Sequence, residues 1–128
     1  MLSSLRRRLS GPSVDMEPDD AFRLLSTSRR RQVILLVADH DESLTVENLA
    51  HEIAACENEA VSGAVSEKKR KSVYISLIQH HLEDLEKAGV IYYDERMKTV
   101  SPTDFTEHLA HHIRRFEAAC NRGETDAQ

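Results

Sequence analysis

Apolar residues recur at helical spacing in several segments of the chain, and the longest such segment lies between Ser66 and Gly89. Its apolar positions, three and four residues apart, are Ile75, Ile78, Leu82 and Leu85, with Val73, Leu77 and Ala88 widening the same face. Ser66 is a typical N-cap residue, and Gly89 is typical of the C-terminal end of a helix. We therefore expect one long helix whose apolar face lies in the core.

Two helices are predicted before this one. Residues 29–38 are almost continuously apolar after three arginines, so this helix should be buried on most sides. Thr45 predicts the N-cap of the next helix, whose apolar stripe contains Leu49, Ile53 and Cys56. A short helical turn through residues 22–25 should precede both.

A β-hairpin is predicted after Gly89. Residues 90–94 and 97–101 are rich in β-branched and aromatic side chains on either side of Glu95 and Arg96. Alternation along the first strand predicts that one of Tyr92 and Tyr93 faces solvent. The expected fold is mainly α with a small β-hairpin, in the order α-α-α-β-β-α. The predicted divisions are a disordered tail (1–19), a domain (20–101), a C-terminal helix beginning at Pro102 (102–120) and a frayed tail (121–128).

The C-terminal helix carries a stripe too apolar to leave in water. Its members are Phe105, Leu109, Ile113 and Phe116. The stripe either packs on the first long helix or holds a homodimer.

Composition limits the classes of function. The chain has 128 residues, enough for one domain, and only four glycines. It contains no nucleophile elbow, glycine-rich phosphate loop or paired-carboxylate motif. We therefore expect no enzymatic activity and no cofactor.

Charge is unevenly distributed around the net value of −5. Residues 32–66 contain seven acids and no Lys or Arg, whereas residues 67–71 carry a net charge of +3. The polar face of the long helix starts basic, becomes small and polar, and ends acidic. Its members are Lys68, Lys71, Ser72, Ser76, Gln79, His80 and Glu83. A helix that enters a DNA major groove by its N-terminal half needs cations near phosphates and short polar groups near base edges. This face is therefore predicted to contact double-stranded DNA.

The stretch from Ile78 to Ile91, IQHHLEDLEKAGVI, resembles the recognition helix of winged helix-turn-helix regulators, which often reads V-S-x-H-L-x-x-L-x-x-A-G-L-V. The stretches RRRQVI and KRKSVYISLIQHHLEDLEKAGVI together are similar to a haloarchaeal winged-helix domain of unknown function. The resemblance covers roughly residues 20–101. The sequence departs from the family pattern at Gln79, where Ser or Thr is usual. Residues 57–65 are also longer than the tight turn that usually joins the two helices of the motif.

The resemblance implies a DNA-binding transcriptional regulator. The hairpin becomes a wing, with Arg96 and Lys98 at its tip beside phosphate or the minor groove. Regulators of this type commonly dimerise through terminal helices, which favours the homodimer. Arg29, Arg30 and Arg31 either clamp the DNA backbone or pair with nearby acids.

Two alternatives remain open. His108 and His112 are spaced i, i+4 as metal ligands often are, although surface histidines are the commoner outcome. The second alternative is that the domain is a non-catalytic protein-protein interaction module that never binds DNA.

Cys56 and Cys120 are far apart with no CxxC motif, which together with the lack of a long apolar run predicts a cytoplasmic protein without a membrane segment.

Overall fold

The computed structural model describes residues 15–40, 42–58 and 65–126, with side chains up to residue 121. Its elements are α1 (Pro18–Leu25), α2 (Ser28–Ala38), β1 (Leu44–Thr45), α3 (Val46–Glu57), α4 (Glu67–Ser76), a π-helical turn (Leu77–His81), α5 (Leu82–Lys87), β2 (Ile91–Asp94), β3 (Thr99–Pro102) and α6 (Asp104–Asp126). Because α4, the π-turn and α5 follow without a break, we call residues 67–87 the central helix. The mainly α fold with a small β-hairpin is confirmed. The predictions for the N-terminal residues 1–14 and for most of the loop after α3 lie outside the described residues.

Two of the predicted helix starts are confirmed by their capping hydrogen bonds. The Ser66 hydroxyl accepts a bond from the Lys69 backbone N–H at 3.0 Å, and the Thr45 hydroxyl accepts one from the Asn48 N–H at 3.1 Å. Each bond satisfies a donor that the first turn of a helix leaves free. The central helix and α3 therefore begin where their local sequence directs.

The sheet has one strand more than the predicted hairpin. Strand β3 lies in the middle and pairs antiparallel with β1 and with β2. The short strand β1 was not predicted, because two residues cannot establish an alternating pattern. The Val46 N–H at the start of α3 also donates to the Lys98 carbonyl at 2.9 Å. The hairpin is thus attached to the first turn of α3.

The hairpin turn is longer than predicted. Met97 and Lys98 belong to the turn, and the strands close with Asp94 opposite Thr99. The Asp94 carboxylate accepts the Met97 N–H at 3.0 Å, and Lys98 has a left-handed φ of 56°. Such side-chain capping of a turn competes with strand pairing, which explains why the strand starts later. Tyr92 faces solvent, as alternation predicts for one tyrosine, while Tyr93 is half-buried.

The core collects one apolar face from each long helix and from the sheet. Its fully buried side chains include Val33, Ile34 and Val37 of α2, Leu49 and Ile53 of α3, Val73, Leu77, Leu82 and Leu85 of the central helix, Ile91 and Val100 of the sheet, and Leu109 and Ile113 of α6. The predicted burial of α2 on most sides agrees with this core. Cys56, predicted in the stripe of α3, is exposed, and Ala54 is buried instead.

The π-turn changes which face of the central helix is buried. The N–H of Leu82 donates to the carbonyl of Leu77, a span of five residues instead of the four of an α-helix. The extra residue lets Leu77 and Leu82 both point into the core, where an unbroken α-helix would turn one of them away. The prediction that Ile75 belongs to the core is therefore wrong, because Ile75 is 44% exposed.

The central helix ends in a Schellman motif. Gly89 has φ 76°, its N–H donates to the Glu86 carbonyl at 2.9 Å, and the Val90 N–H donates to the Leu85 carbonyl at 3.0 Å. The left-handed conformation explains the glycine. Val90 and Leu85 are both buried, which supplies the apolar contact that usually accompanies this motif. The predicted stop at Gly89 is confirmed.

Helix α6 begins at Asp104 instead of the predicted Pro102, which lies in β3, and continues past the predicted end to Asp126. Two threonines organise this start. The buried Thr106 hydroxyl donates to the Val90 carbonyl at 2.6 Å and accepts the Thr103 N–H at 2.8 Å. The Thr103 hydroxyl donates to the Gly89 carbonyl at 2.7 Å. These bonds hold the start of α6 against the end of the central helix.

Candidate nucleic-acid interface

The predicted polar face of the central helix lies on the outside of the domain. Lys68, Lys71, Ser72, Gln79 and His80 are exposed, and Ser76 is partly exposed. Residues three and four apart are neighbours on a helix surface, so these side chains follow one another along a continuous stripe. We call Lys68, Lys71, Ser72, Ile75, Ser76, Gln79 and His80 the outer stripe.

The cations at the start of the central helix divide into two pairs. Lys69 lies 2.9 Å from a carboxylate oxygen of Glu57, and Arg70 lies 2.6 Å from Glu67 and 3.7 Å from Glu47. Lys68 and Lys71 form no ion pair with any described residue. Among the described residues at this end of the helix, the positive charge that no acid compensates therefore lies on these two lysines of the outer stripe.

Glu57 joins three helices on the side of the domain where α3 ends. Arg29 of α2 donates two hydrogen bonds to its carboxylate, at 2.7 and 2.9 Å, and Lys69 of the central helix completes the cluster. The hydrogen bonds from Arg29, together with Lys69, lower the pKa of the Glu57 carboxyl from 4.5 to about 2, although partial burial opposes the shift. The same hydrogen bonds raise the pKa of Arg29. This cluster fixes the start of the central helix relative to α2 and α3.

The arginines predicted beside DNA are engaged within the domain. Arg29 is held by Glu57. Arg30 donates to the Leu24 carbonyl at 2.6 Å and lies 3.8 Å from Asp84 of α5. Arg31 donates to a carbonyl of α1 and lies 3.8 Å from Glu117. The alternative in which these arginines pair with nearby acids is the arrangement found, and their side chains link α2 to its neighbours.

The paired histidines of the π-turn point in different directions. His80 is exposed, whereas His81 is only 9% exposed and its Nδ1 atom has no hydrogen-bond partner among the described residues. Burial lowers the pKa of His81, and the positive charge of Arg30 lowers it further. His81 is therefore a neutral core residue near neutral pH, and only His80 extends the outer stripe.

The two cations predicted for the wing, Arg96 and Lys98, lie on the hairpin turn. Arg96 is exposed and Lys98 is partly exposed, and neither forms an ion pair with a described residue. Since the Lys98 carbonyl is bonded to the start of α3, the turn is fixed to the helix that packs along the central helix. The fold thus positions these two cations on one element and the outer stripe on another.

The predicted dimerisation stripe is largely buried inside the chain. Leu109 and Ile113 are each 2% exposed, because α6 packs against α2. The assignment of these two residues to a dimer interface is wrong, and the intramolecular alternative accounts for them. Phe105 is half-buried and Phe116 is 70% exposed. A homodimer stays a prediction, and it would have to rest on other contacts than this stripe as a whole.

A metal site, which the spacing of the histidines raised as a possibility, has little support in the described residues. No three His, Cys, Asp or Glu side chains there are arranged to hold a metal ion. His108 and His112 each make interactions within the domain. Cys56 and Cys120 are free and exposed. Within the described part of the chain, no helix is both long enough and apolar enough to cross a membrane.

Sequence reasoning missed two features of this surface. The first is the outward position of Ile75, for which the five-residue gap between Leu77 and Leu82 is the signal, since only a π-turn lets both reach one core. The second is the Glu57 cluster, because an ion pair across 28 residues leaves no local pattern.

Comparison with known proteins identifies a family without assigning an activity. No curated protein and no solved structure matches the chain. Residues 22–101 match the family described as Domain of unknown function (DUF7344). These residues run from α1 through the sheet and contain the whole outer stripe. Because the match covers more than half of the chain, the protein belongs to the DUF7344 family.

Proposed function

We propose that the protein is a winged helix-turn-helix regulator that binds double-stranded DNA with the outer stripe of its central helix in the major groove. The observation that carries this proposal is the stripe itself, in which two lysines that no described residue pairs precede a row of short polar side chains. Lysines in this position would neutralise phosphates, and the polar groups beyond them would meet base edges. Helix α3 packs along the central helix in the manner of the supporting helix of such motifs.

The hairpin supports the same assignment. Its turn presents Arg96 and Lys98, and its attachment to α3 would hold these cations at a fixed distance from the groove. Arg29 and Arg30, by contrast, are proposed to support the central helix through contacts within the domain. The likeness to winged-helix regulators, including a haloarchaeal domain, adds to this argument only by resemblance. A regulator of this kind would act in the cytoplasm, where its two free thiols stay reduced.

Gln79 is expected to contribute to sequence preference. An amide can form two hydrogen bonds with an adenine in the major groove, so Gln79→Ala should lose about 1–3 kcal/mol on the preferred site and little on other sequences. The measurement is a comparison of affinities for the preferred duplex and for variants with one base pair changed. Glu52→Ala, at an exposed position of α3 outside the outer stripe, is the control and should leave base preference unchanged.

An unchanged preference profile in Gln79→Ala, with parent-like affinity on every duplex, would remove Gln79 from the interface. The preferred duplex for this test is obtained by selecting bound fragments of genomic DNA with the full chain.

A protein-interaction module is the second candidate. Tyr92 and Met97 are each 66% exposed on the hairpin, and solvent-facing apolar groups of this size are common in protein interfaces. The net charge of −5 also gives no general attraction to DNA. The two candidates differ in one observable, because only a DNA-binding domain has a duplex affinity that falls steeply with salt.

A further inference from the structure

Ile75 is an apolar residue in the middle of a charged and polar surface. It is 44% exposed, whereas Val73 and Leu77, two residues before and after it, are completely buried. Its own surface neighbours are Lys71 and Ser72 on one side and Gln79 on the other, at the three- and four-residue spacing of one helix face. The π-turn produces this arrangement, since it aligns Leu77 and Leu82 with the core and leaves Ile75 outside.

The neighbours of Ile75 restrict what can cover it. A partner that meets this stripe must satisfy two lysines that have no ion-pair partner in the described part of the chain, and several hydrogen-bonding groups, which fits an anionic, polar surface better than an apolar one. In the major groove of DNA, the single apolar group that a base pair presents is the methyl group of thymine. An aliphatic side chain among hydrogen-bonding side chains therefore matches a thymine among other bases.

We propose that Ile75 is a specificity-determining residue that contacts the 5-methyl group of a thymine in the major groove. The inference rests on the proposed DNA-binding function and names one base that the protein would recognise. One helical turn separates Ile75 from Gln79, about 6 Å along the axis. Since bases on one strand are about 3.4 Å apart, the thymine should lie about two base pairs from the position sensed by Gln79.

The test uses the preferred duplex recovered by selection and replaces each thymine, one at a time, by deoxyuridine. This change removes the methyl group and keeps every hydrogen bond of the base pair. Burying one methyl group changes affinity about fourfold, so one replacement should weaken binding of the parent by about that factor. In Ile75→Ala the same replacement should have no effect, while the effect of changing the pair read by Gln79 should persist.

Phe22→Ala is the matched control, because Phe22 is 72% exposed and lies on α1, a different helix from the outer stripe. It should keep the parent's response to deoxyuridine. If the parent binds the duplex but no replacement matters, or if Ile75→Ala still responds to it, the role of Ile75 is refuted while DNA binding stands. If the parent binds no duplex at low salt, the proposed function and this inference fail together.

Discussion

Leu82→Ala is expected to lower the free energy of unfolding by about 2–5 kcal/mol, the usual cost of removing a buried leucine side chain and leaving a cavity. Leu82 is completely buried, and its N–H closes the π-turn on the Leu77 carbonyl. The Leu82 side chain thus fills the core at the π-turn, where the backbone departs from α-helical geometry. Denaturant unfolding of parent and variant, with the same slope against denaturant, measures the difference.

Ile75→Ala is the matched control, since it truncates an aliphatic residue of the same helix at an exposed position. Its cost should stay within about 1 kcal/mol. Equal losses in the two variants would contradict the outward position of Ile75, and with it the register that the π-turn imposes.

Glu57→Gln is expected to cost about 1–3 kcal/mol near neutral pH, a range reduced to allow for a side chain that is 25% exposed. The substitution removes the charge that holds Arg29 and Lys69 together and leaves two cations facing each other. Glu67→Gln is the matched control, because the Glu67 side chain is 82% exposed and its ion pair with Arg70 should contribute less than about 1 kcal/mol.

The effect of Glu57→Gln should depend on pH in a defined direction. The pKa of Glu57 is lowered from 4.5 to about 2 in the folded protein, so its contribution to stability is complete above pH 4.5 and disappears as pH falls toward 2. The stability difference between parent and variant should therefore be largest near neutral pH and shrink below about pH 4.5. A difference that is constant from about pH 7 to about pH 3 would show that the charge of Glu57 is not what links the helices.

Local signals in the sequence predicted most of the helix boundaries. Ser66 and Thr45 cap the helices that they were expected to cap, and Gly89 ends the central helix with a left-handed φ. Each of these depends on a few neighbouring residues, which is why sequence alone suffices. The order of the helices and of the two hairpin strands followed from the same local patterns, whereas β1 did not.

The predictions failed where contacts between residues far apart in the sequence determine the structure. Regular 3.6-residue periodicity placed Ile75 in the core, but packing against α2 and α3 favours an extra residue in the turn, which moves Ile75 outward and His81 inward. The apolar stripe of α6 correctly indicated burial, yet periodicity cannot say whether the covering surface belongs to the same chain. In the structure α2 covers Leu109 and Ile113.

For the candidate site, sequence identified which residues share a face but not which charges remain free. Lys68 to Lys71 appear as one basic run, whereas Glu57, Glu47 and Glu67 compensate Lys69 and Arg70. The pairing depends on how α3 packs along the central helix, which no local pattern encodes. The proposal accordingly rests on Lys68 and Lys71 and not on the run as a whole.

The central claim is that the outer stripe binds DNA, and the salt dependence of duplex affinity tests it most directly. The affinity of the parent should fall linearly with salt on logarithmic axes, and Lys71→Ala should lower that slope by about one on all sequences alike. Lys87→Ala, at the far end of the same helix and paired with Glu83, should leave the slope unchanged. Binding by Lys71→Ala with the parent's affinity and slope on every duplex, or no duplex binding by the parent at low salt, would contradict the claim and favour the interaction module.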